Sequence, residues 1–137
     1  MRPVPINNEI YIRLPIDYEP IAELDLEPIK FLLMDKVDGL GWDLSRANYI
    51  GELYRSFLYL IYKYPDDGVV PTPEIDKFWH FHILDTQKYH QDCQEIFGKY
   101  IHHNPYLGFR GDGDDVELQR KFSHTRMLIR KEFPGLA

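Results

Sequence analysis

Cysteine occurs once in this chain, at position 93. A single thiol excludes an internal disulfide and points to a reducing cytoplasm. The opening MRPVPINNE points the same way, because it has no apolar run fit for a signal peptide. Long hydrophobic runs are also missing: nothing reaches the ~18–20 apolar residues of a membrane span, and FLYLIYKYP is short and helical in period. Basic charge is scarce. With 16 Lys and Arg against 22 Asp and Glu the formal charge is −6, which argues against a nucleic-acid surface, since phosphate binding needs clustered cations. The sequence has no phosphate-cradling glycine loop and no nucleophile elbow, and Gly108-Phe109-Arg110-Gly111 is no dinucleotide fingerprint. Known enzyme classes receive no direct support.

Apolar and aromatic residues are present in quantity. Ten tyrosines and eight phenylalanines in 137 residues are enough to build one dense core, and the length is too short for two domains. Residues 1–24, with prolines at 3, 5, 15 and 20, predict an extended arm with one short strand near Ile10-Tyr11-Ile12. The rest, 25–137, predicts a mostly α single-domain bundle of about four helices. Asp25 is the expected cap of a first helix over Leu26, Ile29, Leu32 and Leu33, and Ser45 that of a second, whose apolar stripe runs from Ile50 to Tyr64. Thr72-Pro73-Glu74 starts a third helix predicted to run unbroken to Phe97, with Gly98 as its left-handed stop. Asp112 or Asp114 would cap a fourth, with Leu118, Phe122, Thr125, Leu128 and Ile129 inward.

Five of the six histidines fall between residues 80 and 103. On an uninterrupted third helix, Trp79, Ile83, Thr86, His90, Cys93 and Phe97 share the core-facing stripe. His80 and His82 point about 160° apart and cannot chelate one ion together. Asp76 and His80, four residues apart, can converge, and His103 or His102 could join them from the following loop. That would be a two-histidine, one-carboxylate set suited to iron, zinc or manganese. His82, Tyr89 and Cys93 would line a groove beside it. The blander readings are an Asp76–His80 helix-stabilising pair, a buried His82–Tyr89 pair and an inert buried Cys93. Asp112, Asp114 and Asp115 lack the glycine and glutamate of a calcium loop and read as capping residues.

Taken together, Val70, Pro71, Thr72, Asp76, Trp79, His80, His82, Tyr89, Asp92 and Cys93 resemble the central motif of the glycine-rich domain-containing protein-like family. LDLEPIKFLLMD, YRSFLYLIYKYP and IHHNPYLGFRG extend the resemblance over most of residues 24–133. It implies a helical domain and makes Asp92 and Trp79 motif members, but carries no catalytic mechanism. The glycine-rich tail of the family name is not in this sequence.

Two functions follow as expectations. The first is a divalent transition-metal protein, as an enzyme a small oxygenase or hydrolase, with Asp76, His80, His103 and His102 as ligands and Trp79, His82, Tyr89, Asp92 and Cys93 around them. The second is a non-enzymatic protein-interaction module in which these residues are structural. A cysteine-based enzyme is a third. The small-molecule or protein partner is undefined; neither nucleic acid nor a membrane is expected.

Overall fold

Thr72 opens the helix that carries two of the histidines. In the computed structural model, which describes residues 5–6, 9–10, 13–104 and 114–135, its hydroxyl accepts from the Ile75 amide while Pro73 occupies the first turn. The elements in order are strands β1 (Pro5–Ile6) and β2 (Glu9–Ile10), paired antiparallel, then α1 (Glu19–Ala22), α2 (Glu27–Met34), α3 (Leu44–Lys63), α4 (Pro73–Leu84), α5 (Thr86–Phe97) and α6 (Asp114–Glu132). The mostly helical bundle is as expected.

Several local expectations are corrected. α3 is capped by Asp43, whose carboxylate accepts from the Arg46 amide, rather than by Ser45. Asp25 lies one residue outside the α2 cap position and accepts from Glu27 N. The end of the arm is not extended, because Glu19–Ala22 form a helical turn whose Ile21 is fully buried. The rest of the arm's first dozen residues, and Asp112, lie outside the described residues.

The largest correction concerns the third predicted helix, which is two. After Leu84 the chain bends at Asp85, and the Asp85 carboxylate caps α5 by accepting from Lys88 N. The bend resets the helical phase. Trp79 and Cys93 are buried as expected, but Thr86 and His90 are exposed, and Tyr89 and Ile96 take the core-facing places. Gly98 ends α5 with φ 71°, the left-handed stop its position predicts.

α3 is the central helix, packed against α1, α2, α4 and α6. Tyr54 and Phe57 on it are fully buried against Phe78 and Trp79 of α4, each such side chain contributing ~1.5–3 kcal/mol of burial. Gly51 lets α3 approach closely, since a Cβ there would meet Lys30 Cε at 3.0 Å and the Phe78 ring at 3.4 Å. Arg55, only 1% exposed, donates from Nη1 to the Ile21 and Leu24 carbonyls and from Nε to Glu52, so one guanidinium ties α1 to α3. At the far end Leu128 and Ile129 of α6 pack on Leu60, Thr125 accepts from Val70 N, and Glu132 receives both Lys63 and Tyr64.

Candidate functional site

Two helices meeting at a corner bring together residues that a straight helix would hold apart. His82, near the end of α4, is 1% exposed, and its Nε2 lies 2.8 Å from Asp92 Oδ2 on α5. Its other nitrogen, Nδ1, lies 2.7 Å from the Tyr54 hydroxyl on α3. A carboxylate only accepts, so Nε2 carries the proton and Nδ1 accepts from Tyr54. Lys88 Nζ completes the chain 3.1 Å from Asp92. Burial holds the Tyr54 phenol well above its ordinary pKa, so it stays protonated and donates.

A second chain runs beside the first. Trp79 Nε1 donates to the Tyr89 hydroxyl at 2.9 Å, and that hydroxyl donates to the Ile101 carbonyl at 2.6 Å. Tyr89 also meets the His82 ring edge-on, with centroids 4.9 Å apart. The Cys93 thiol is buried in the same part of the core, and burial pushes its pKa up. His82, Tyr89 and Cys93 are therefore together, but in the core rather than along an open groove. An unbroken helix would hold His82 and Cys93 ~16 Å apart along its axis, but the bend at Asp85 breaks that helix.

The remaining motif residues lie nearer the surface. His103, from the strap that follows α5, bonds through Nε2 to Asp76 Oδ1 and stacks on the Trp79 indole with centroids 4.2 Å apart. Asp76 and His103 thus meet at the surface of α4. His80, one turn after Asp76, is exposed, with its ring edge against Phe81. His102 lies against Tyr100 instead, with ring centroids 4.8 Å apart. Among the described residues no three His, Cys, Asp or Glu side chains are already gathered as a metal cage.

Asp92 also borders a cleft of about 390 Å³ between α1 and α5, whose walls include Glu19, Glu23, Lys88, Glu95 and Ile96. Two of these network members, Tyr54 and Lys88, escaped the sequence reading. Tyr54 looked like one more apolar position of α3, and Lys88 carried no motif. The partner of Tyr54, His82, lies on another helix, and only the packing discloses it.

A family profile described as UCP032817-like matches residues 34–126. The chain is also 34% identical over 84 residues to glycine-rich domain-containing protein 1 of Arabidopsis thaliana, an alignment covering 58% of this chain and 10% of that protein. The chain thus spans a small part of the length of the curated relative it matches. No solved structure gives a significant match.

Proposed function

The chain belongs to the UCP032817-like family, and on that premise we propose that it is a helical interaction module whose shared buried motif is architecture rather than a catalytic centre. One observation carries the reading. Tyr54, His82, Asp92 and Lys88, and likewise Trp79, Tyr89 and the Ile101 carbonyl, satisfy one another's hydrogen bonds, leaving no buried motif group directed at a substrate. Fully connected networks of this kind fix the relative placement of helices. The aligned segment forms only a tenth of the plant relative, which suits a self-contained unit carried within longer chains.

The surface offered to a partner is the outer side of α2 and the turn after it, where Phe31 is 74% and Val37 88% exposed, with Leu40 beside them in sequence. A reducing, cytoplasmic setting accompanies this reading, since the one cysteine is buried and unpaired. None of the described helices is long and apolar enough to cross a membrane.

The test compares the wild-type domain with a Phe31→Asp/Val37→Asp variant, using a melting curve to verify that the fold is unchanged. A stoichiometric protein partner that the wild type retains and the variant loses supports the module. A domain that retains no partner, yet turns over a small substrate in a His82-dependent way, would overturn it.

A further inference from the structure

The motif divides by burial. His82, Tyr89, Cys93 and Trp79 are interior, whereas Asp76 is 46% exposed and His103 21% exposed, and His80 lies open to solvent. From this outer half we infer that Asp76, His80 and His103 form a binding site for one divalent transition-metal ion. The inference goes beyond the module reading and does not depend on it.

Two of the three groups are already in contact. The fold carries the His103 imidazole across 27 residues of sequence to the Asp76 carboxylate, and stacking on Trp79 holds the ring so that Nε2 faces Oδ1. An imidazole nitrogen and a carboxylate oxygen facing each other are the donor pair that a borderline cation such as zinc, iron(II) or manganese(II) takes. The third group comes from helical spacing. Asp76 and His80 are four residues apart in α4, and side chains at that spacing lie one above the other on the same face. His80 forms no polar contact among the described residues, so rotation about its side-chain bonds can direct it to the same ion.

The ion would replace the proton on His103 Nε2, which moves to Nδ1 through solvent, and the remaining coordination positions would be filled by water. Binding would also have a structural effect. Asp76 and His80 belong to α4 and His103 to the strap after α5, so the ion would cross-link the strap to the helix beneath it. His102, whose ring lies against Tyr100, is not part of the site.

Calorimetric titration of the purified apo domain with Zn²⁺ and then Mn²⁺ alone tests the inference, with melting temperature followed in parallel. One equivalent should bind, and the melting temperature should rise with it. His80→Ala is the decisive variant, because the ring is exposed and has no polar partner among the described residues. It should melt like the wild type without metal yet bind at least ~10-fold more weakly. Asp76→Asn and His103→Ala should weaken binding at least as much, and His102→Ala should not. Absence of binding in the wild type would overturn the site, as would equal binding by wild type and all three ligand variants, or a loss confined to His102→Ala. None of these failures bears on the partner-binding test of the module.

Discussion

Tyr54 and His82 meet at 2.7 Å in the core, the phenol fully buried and the imidazole 1% exposed. The bond joins α3 to α4, and Asp92 on α5 sets its direction by accepting from the other imidazole nitrogen. Tyr54→Phe removes the donor and leaves Nδ1 dry and unsatisfied. The expected loss of unfolding free energy is ~1–3 kcal/mol. His82→Ala should lose more, since it strands Tyr54 and Asp92 together and opens a cavity. Urea denaturation measures both, and a Tyr54→Phe protein as stable as the wild type would contradict the network.

Cys93 is buried, and burial pushes its thiol above its usual value of 9.0, so at neutral pH the group is protonated as well as covered. A thiol reagent should label the native domain slowly at pH 7 and rapidly in denaturant. Rapid native labelling would return a cysteine-based enzyme to consideration.

The helical class, Thr72 as a cap, Gly98 as a stop and the inward face of α6 were legible because each is a local matter of spacing and capping chemistry. The Asp85 bend was not. Leu84-Asp85-Thr86 holds neither proline nor glycine, and Asp85 reveals itself as a cap only when the helix ahead of it has ended. Missing that bend set Thr86 and His90 inward and hid the meeting of His82 with Asp92. The Asp76–His103 pair was accessible in principle, because both residue types were recognised as ligands and only the path of the strap was unknown.

Glu132 offers a pH test. The hydrogen bond from Tyr64, helped by Lys63, holds its carboxyl below the usual 4.5. A folded-state value below the unfolded one stabilises above that unfolded value, and the contribution is lost as pH falls through the lowered one. Tyr64→Phe should raise the folded-state value towards 4.5 and so flatten the acid side of the stability profile. Thermal melts between about pH 2 and pH 6 record it. An unchanged slope would mean that the α3–α6 clasp contributes nothing in solution.

Gly39 sits where a Cβ would come within 1.9 Å of the Leu32 carbonyl oxygen and 2.7 Å of that of Asp35. Both obstacles are backbone, so the turn after α2 must shift to admit any side chain. Gly39→Ala should cost more than Gly98→Ala, where nothing lies within 4 Å and only the positive φ opposes the change, at ~1–2 kcal/mol. Equal losses in denaturant titrations would refute this ranking.

The bend at Asp85 also makes the chain intolerant of a change in length. His82 and Asp92 are ten residues apart, a distance of ~15 Å along a straight helix, and they touch only because the path doubles back between them. Adding one residue anywhere from Ile83 to Gln91 would turn the α5 side chains by about 100° relative to α4. Asp92 would swing away from the imidazole, and an insertion ahead of Tyr89 would turn that residue away from the indole of Trp79 as well. This interval therefore acts as a ruler: its residues can be exchanged at the exposed positions, but their number is fixed.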